Sequence, residues 1–335
     1  MVELAWTNDW QVFVNGVDVS NDLRPLLLSV NVTDKDGTAS DTCSIEVDDE
    51  DGQFHLPNEQ SKISARLNGV PVFDGTVDRV RCRGSRGGGR TLSISAKGYD
   101  TKGKAKEPQA CHMDDATLKD FLSMTAKSAG FSIKVDPELG EIKRDYWAAD
   151  YESFLHLGQR LAREMNATFK LKGKQAVFAK RGQDTLPPIV GTSPGNVISY
   201  DIAPLSGRAI HKKGMSRYLD RESASFKEVV QDFSTQRPAE TTNVVKTAAT
   251  DEAQAKDLNA GRKGENERNG GEGTVVLDAE PNAQAEAPFT LVGARPGVDG
   301  SYRIVSVNHS ASRSSGTTTR LELKQPAGDA GTDSR

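Results

Sequence analysis

The sequence predicts an α+β protein, mainly antiparallel β, in which two barrel-like β domains flank a small α+β module and the second β domain is interrupted by an insertion. Three observations predict it. Short β-branched or alternating stretches separated by Gly, Asp and Asn fill the first hundred residues. Beyond Met113 the apolar period becomes helical, and it returns to strand-like alternation beyond Asn196. Within that last β region, residues 236–272 are rich in Ala, Asn, Glu and Thr and poor in large apolar side chains.

Gln11–Ser20 reads as a hairpin, with Asn15-Gly16 supplying the positive-φ residues of a two-residue turn. Leu26–Thr33, Asp41–Val47, Ile63–Asn68, Val70–Cys82 and Thr91–Lys97 follow as strands of the first barrel-like domain, residues 1–105. Between the last two lies RCRGSRGGGR, Arg81–Arg90. Glycines of this kind cradle phosphate where a helix follows them, and none follows here, so the stretch reads as a hairpin tip. Its four arginines face water, an acidic partner or a nucleic-acid backbone.

Leu118, Phe121, Leu122 and Thr125 mark a helix over about 115–129, with Asp114 or Asp115 as its cap and Gly130 as its stop. A strand over Phe131–Val135 and a loop lead to a second helix, capped at Asp150 and ending near Asn166, with Phe154, Leu157, Leu161 and Met165 on one stripe. Ala167–Leu171 and Gln175–Lys180 then form a hairpin around Lys172-Gly173-Lys174 and complete the α+β module, residues 106–182. Pro187, Pro188, Gly191 and Pro194 make Arg181–Pro194 a linker or irregular crossing.

Strand signals at Asn196–Ala203, Ser206–His211, Tyr218 and Phe226–Asp232 resume in Gly273–Asp278, Pro288–Val292, Ser301–His309 and Thr318–Leu323. They make a second barrel-like domain from residues 183–235 and 273–325. In the insertion, 236–272, Ala249, Ala253, Leu258 and Ala260 give a weak helix that must dock or stay mobile. Residues 326–335 carry no anchor and are expected to be a disordered tail.

At 335 residues and 36% hydrophobic content the chain has material for two or three domains. No apolar run is long enough to cross a bilayer, and MVELAWTNDW lacks the features of a signal peptide, so cytoplasmic synthesis without membrane insertion is expected. Cys43, Cys82 and Cys111 are odd in number and widely spaced, which suggests reduced thiols. The formal charge of −4 argues against a dedicated nucleic-acid binder, although a local basic patch is compatible with it.

Each candidate for chemistry has a structural explanation. Ser40–Pro57, SDTCSIEVDDEDGQFHLP, runs an alternating strand into an acidic turn with Asp48, Asp49, Asp51 and Gly52. As a calcium loop it would need oxygen ligands where Val47 and Asn58 stand, so the register fails at both ends. Cys111-His112 are adjacent on an extended segment and point to opposite sides. His156 lies on a helix flank, Asp114, Asp115 and Asp150 serve as caps, and Tyr146-Trp147 is either a partner anchor or packing under the second helix. No enzyme activity is therefore expected, and no catalytic residue, cofactor or metal site is assigned. Unpaired strand edges point instead to a building block stabilised by symmetric association.

The order of phrases resembles a known family. LLSVNVTDKDGTASD (Leu27–Asp41), IEVDDEDGQFHLP (Ile45–Pro57) and FDGTVDRV (Phe73–Val80) are followed by DYESFLHLGQRLAREMNATFKLKGKQAVFAKRG (Asp150–Gly182). GTVVLDAEPNAQ (Gly273–Gln284) and RPGVDGSYRIVSVNHS (Arg295–Ser310) close the series. Together these are similar to the phage late control D family, the baseplate hub proteins of contractile tails, which are related to the hub half of type VI secretion spike proteins. The departure is Asn282–Pro288, NAQAEAP, where the family has a glycine-containing turn.

The resemblance implies a homotrimeric ring of pseudo-sixfold symmetry that joins the sixfold tail tube to the trimeric spike and contacts baseplate wedge proteins. DNA would pass only in transit through its lumen, and three copies would carry 3 × −4 = −12, acidity expected to line that lumen. The implied location is the virion tail baseplate, assembled in the host bacterial cytoplasm. The hub of a phage-derived bacteriocin or injection device, and a tail-associated cell-wall hydrolase or glycan-binding protein, are the alternatives. A DNA-binding regulator would need a basic recognition helix, which the sequence does not display.

Overall fold

The computed structural model describes residues 8–52, 54–183, 186–233, 238–313, 315–333 and 335. The start of the chain and parts of the expected linker, insertion and tail lie outside the described residues.

The amino-terminal hairpin forms from β1 (Trp10–Val14) and β2 (Val17–Asp18), with Asn15 and Gly16 at φ 50° and 83° in the turn. A short helix α1 (Ser20–Leu23) leads to β3 (Leu27–Lys35), β4 (Thr42–Asp48), β5 (Lys62–Leu67), β6 (Val70–Ser85) and β7 (Gly89–Lys97). Alternation buries Val30, Val32, Cys43, Ile45, Val47, Leu92, Ile94 and Ala96 in one core. The glycine-rich stretch is a hairpin tip: β6 and β7 pair out to Ser85↔Gly89.

The central module contains two strands that the sequence hid. β8 (Pro108–Thr117) and β10 (Lys143–Ser153) pair antiparallel along almost their whole length. Between them run α2 (Leu118–Ser128), β9 (Ser132–Val135) and the short α3 (Pro137–Gly140). The pairing draws Asp114, Asp115 and Asp150 into strands, so the expected caps are replaced. Thr117 accepts from the Asp120 amide at the start of α2, and Ser153 accepts from the His156 amide at the start of α4 (Phe154–Glu164). Gly130 does stop α2: at φ 81° it lets the Phe131 amide reach back to the Ala126 carbonyl. β11 (Ala167–Lys172) and β12 (Gln175–Lys180) form the expected hairpin, and Phe121, Phe154, Leu157, Leu161, Phe169 and Phe178 fill the module's core.

Further along, the expected linker contains β13 (Ile189–Thr192), which pairs parallel with a later strand. β14 (Val197–Ala203) is where it was expected, but Ser206–Ile210 is not a strand. β15 (His211–Asp220), β16 (Ser225–Asp232) and β17 (Thr241–Val244) form a separate three-stranded sheet. The weak helix of the insertion is the longest in the chain, α5 (Glu252–Arg268), capped by Asp251 and docked on β15 and β16. It docks through small and amide side chains. Ala255, Asn259 and Gly261 are buried, Asn259 donates to the Val229 carbonyl, and Asn266 bonds both the amide and the carbonyl of His211.

β18 (Glu272–Asp278), β19 (Pro288–Val292), β20 (Gly300–Ser312) and β21 (Gly316–Ala327) complete the chain around a third core of Val275, Leu277, Phe289, Ile304, Leu321 and Leu323. The tail is anchored: Asp333 pairs with Arg295 at 3.2 Å and the Gly331 amide donates to the Gly297 carbonyl.

The two β regions are not separate. Seven residue pairs, from Ser306↔Lys35 to Ser312↔Ser29, join β20 to β3. One 13-stranded sheet results, in the order β14-β18-β21-β20-β3-β4-β7-β6-β5-β1-β2, with β19 and β13 branching from β20. Among the described residues this path does not close into a barrel; it is an open, mainly antiparallel sheet over two hydrophobic cores. The reason is edge energetics: pairing β3 with β20 satisfies two rows of backbone groups that two isolated sheets would leave open.

Candidate functional site

The most concentrated chemistry lies where the two sheet halves, the module and α5 converge. Arg181, just after β12, is nearly buried and places Nη2 2.5 Å from Asp36, which follows β3. Its Nε donates to Thr168 Oγ1 at 3.1 Å and lies 3.7 Å from Glu286 Oε1. Glu286 belongs to the NAQAEAP turn and takes φ 72° there, its amide bonded to the Ile304 carbonyl. Burial and then the charge of Asp36 push the Glu286 carboxyl up to about 7. Arg268, at the end of α5, completes the group; burial and then the Arg181 charge lower its pKa.

A second ionic group lies beside it. Lys170 of β11 contacts both Asp34 of β3 and Asp41, the latter at 2.8 Å. Burial disfavours every charge here. Even so, the Lys170 ammonium and its hydrogen bonds hold Asp34 below the usual carboxylate range, while burial and the Asp34 charge raise Asp41. The other oxygen of Asp34 accepts from the Ala285 amide at 2.8 Å, so one carboxylate ties β3, the module and the second half of the sheet together. His309 of β20 is buried nearby with Nδ1 3.0 Å from Thr319 Oγ1, and burial lowers its pKa to about 4.

The third group clamps α5. Arg144 of β10 is buried, with Glu164 of α4 at 2.7 Å, Asp257 of α5 at 2.8 Å and the Trp147 ring 4.5 Å beneath its guanidinium. These three groups are structural joints: Arg181, Lys170 and Arg144 are each held by carboxylates from other elements, and Asp36 and Arg181 line a cavity beside Gln159 and Glu265.

Of the candidates read from the sequence, the β8–β10 ladder brings together Cys111, His112, Asp114, Tyr146, Trp147 and Asp150, while the acidic turn lies on the sheet apart from them. In the acidic turn, Asp48 accepts from the Glu50 amide, Asp49 from the Phe54 amide, and Arg90 closes the turn on the Glu50 carbonyl at 2.6 Å. On β8, Cys111 turns toward the module's core while His112 stacks on the exposed Tyr146 at 5.7 Å. Trp147 is buried, stacked on Phe121 of α2 and bonded to the Ala116 carbonyl, so this member of the aromatic pair is packing. Among the described residues no three His, Cys, Asp or Glu side chains are grouped as metal ligands would be, and no helix is long and apolar enough to cross a membrane. The joints themselves were invisible in the sequence, because Asp34 and Lys170, or Arg144 and Asp257, stand more than a hundred residues apart with no shared motif.

The other large feature is the sheet face turned away from the cores. From β6 to β20, directly paired residues on that face are Arg79, Ser95, Ser44, Asn31 and Ser310 in one row and Arg81, Ser93, Glu46, Ser29 and Ser312 in the next. It is a broad polar surface of hydroxyl and amide side chains. At one border lies β14, paired with β18 on one side only, with Ile198 and Tyr200 exposed.

The chain is mainly β, with polar joints, a polar sheet face and an open edge at β14. No family model matches the chain. In sequence it is homologous to the probable baseplate hub proteins of Escherichia phage 186, 28% identical over 174 residues, and of Escherichia phage P2, 26% identical over 182 residues. These alignments cover 50% and 53% of the chain and 44% and 46% of the relatives, so the match spans about half the length of each. They bear out the resemblance to baseplate hub proteins read from the sequence.

The fold is that of solved tail proteins. The tail protein from Neisseria meningitidis MC58 superposes with a TM-score of 0.72 at 14% identity, covering 95% of this chain and 97% of that one. The 43 kDa tail protein of prophage MuSo2 from Shewanella oneidensis gives 0.71 at 14% identity, covering 95% and 98%. An E. coli component of the type VI secretion system, itself described as structurally similar to phage T4 tail proteins, gives 0.55 at 12% identity over 97% of this chain and 79% of its own.

Proposed function

We propose that this chain is the structural hub of a contractile tail baseplate, three copies of which close into a ring that joins the sixfold tail tube to a trimeric spike. In this reading each copy contributes two β units, one on either side of the β3–β20 seam, so that three chains present six similar positions. The α+β module and the β15–β17 sheet with α5 sit outside those units, facing baseplate wedge proteins. The polar sheet face lines a channel for DNA, with hydroxyls and interleaved acids and bases in place of a uniformly acidic lining. The assembly belongs to the virion tail and is built in the host bacterial cytoplasm. Its role is mechanical, with no reaction catalysed.

The observation that carries the reading is the single sheet spanning two cores with an open edge at β14, together with sequence homology to proteins named as baseplate hubs. Mass measurement in solution tests it, on the chain alone and with a trimeric spike protein from the same tail. A trimer, or a monomer that becomes a trimer on the spike, is the expected result. A chain that stays monomeric under both conditions overturns it.

A further inference from the structure

The β6–β7 arm carries a feature that the hub reading does not require. Arg79, Arg81 and Arg83 recur at every second residue of β6, so they share one face of the ladder about 6.7 Å apart. Arg86 stands at the tip beyond them. All four are exposed, and none makes an ion pair or hydrogen bond among the described residues. Guanidinium groups without partners have no ion pair to break before they receive an anion.

The neighbours of the stripe narrow the kind of anion. Directly opposite the three arginines on β7 stand Ser95, Ser93 and Thr91, whose hydroxyls are donors to oxyanions. Across the ladder the acids on this face, Glu46 and Asp48, are on β4, with the hydroxyl row between them and the arginines, and Asp78, which precedes Arg79 at a bulge, accepts a hydrogen bond from Thr101. No large apolar side chain lies on the arginine face of the arm. A protein partner is held by an apolar core with a polar rim, and this surface has only the rim. Phosphate backbones, in contrast, are held by Arg together with Ser and Thr, at regular intervals and without apolar anchors.

We propose that the Arg79–Arg81–Arg83 face of this arm binds the phosphodiester backbone of nucleic acid, without reading its sequence. The contact is local and electrostatic on a chain that is acidic overall, which makes it weak and strongly dependent on salt. Such a contact holds a strand in register with the sheet and releases it readily. This deepens the channel part of the proposed hub function, and the two fail separately: mass measurement decides the ring, whereas oligonucleotide binding decides the arm.

The test is fluorescence anisotropy of labelled single-stranded and duplex oligonucleotides, titrated with the full chain from 50 to 200 mM salt. Three phosphate contacts give a log–log slope of about −2 to −3, a loss of about thirtyfold across that range, with affinity unchanged when the base sequence is scrambled. The triple variant Arg79→Gln, Arg81→Gln, Arg83→Gln should lose most of the binding and flatten the slope. Arg81→Gln alone, which leaves the fold untouched if the triple variant does not, should reduce its magnitude by about 1. An unchanged slope in the variants overturns the proposal. So does competition by polyglutamate as effective, charge for charge, as that by the oligonucleotide, which would make the arm a docking surface for an acidic protein.

Discussion

Arg144 of β10 and the half-buried Asp257 of α5 stand 2.8 Å apart, and the same guanidinium holds the buried Glu164 of α4 at 2.7 Å over the Trp147 ring. The longest helix among the described residues is thereby fastened to the central module, with Gln254 of α5 adding a hydrogen bond to Glu164 at 3.1 Å. Removing one partner of a buried pair leaves an uncompensated charge, which typically costs about 3–5 kcal/mol. Arg144→Met should therefore lower the stability of the chain by that order in urea unfolding, and amide exchange should rise along α5 before it rises in the sheet. Equal exchange in α5 of the two proteins would mean that the amide contacts of Asn259 and Asn266 dock it unaided.

The Asp36–Arg181–Glu286 group sets a pH dependence of definite sign. Glu286 has its folded pKa raised to about 7, above the ordinary glutamate value, so the folded chain binds a proton that the unfolded chain releases between about 4.5 and 7. Its contribution to stability is full below that window and is lost as pH rises through 7, at up to about 1.4 kcal/mol per pH unit. His309 acts oppositely. With its folded pKa lowered to about 4, its contribution is present above pH 6.5 and is lost as pH falls toward 4. Glu286→Gln should remove a fall in melting temperature between about pH 4.5 and 7, and His309→Gln a rise between about pH 4 and 6.5. A Glu286→Gln profile that keeps the wild-type fall between pH 4.5 and 7 would assign that fall to another group.

What the sequence made legible follows from the range of the forces involved. Asn15-Gly16, Gly130 and the Phe154–Leu157–Leu161 stripe act within a few residues, and each formed as predicted. The helix caps were misplaced because β8 and β10, forty residues apart in places, pull Asp114, Asp115 and Asp150 into a ladder whose apolar alternation is faint. α5 was undervalued because Ala255, Gly261 and two asparagines dock it, and apolar periodicity does not register such residues. The seam between β3 and β20 joins residues almost three hundred positions apart, which no local pattern encodes.

Gly158 of α4 illustrates a constraint of packing rather than backbone. A Cβ placed there would lie 2.5 Å from the ring of Phe169, which is itself wedged edge-on against Phe154. Both rings are buried in the module's core, so a shift of Phe169 away from a new methyl group would disturb its contact with Phe154. Gly158→Ala, which would otherwise favour the helix, should destabilise the chain by about 1–3 kcal/mol through overpacking. The double variant Gly158→Ala, Phe169→Leu should recover part of that loss in the same unfolding assay. A stabilised Gly158→Ala single variant would show that Phe169 moves freely.

The edge strand β14 offers a way to separate assembly from folding. It has one partner, β18, and its side chains Ile198 and Tyr200 are 55% and 41% exposed, so it presents a free row of backbone groups beside an apolar surface. In the proposed ring this edge is where a neighbouring copy continues the sheet. Lysine on an edge strand is a natural block to such pairing, and exposed substitutions generally change monomer stability by less than about 0.5 kcal/mol. The double variant Ile198→Lys, Tyr200→Lys should thus melt like the wild type in isolation but fail to form the trimer on the spike. Retention of a full trimer by this variant would place the subunit contact elsewhere, with β13 and its exposed Val190 as the next edge to block.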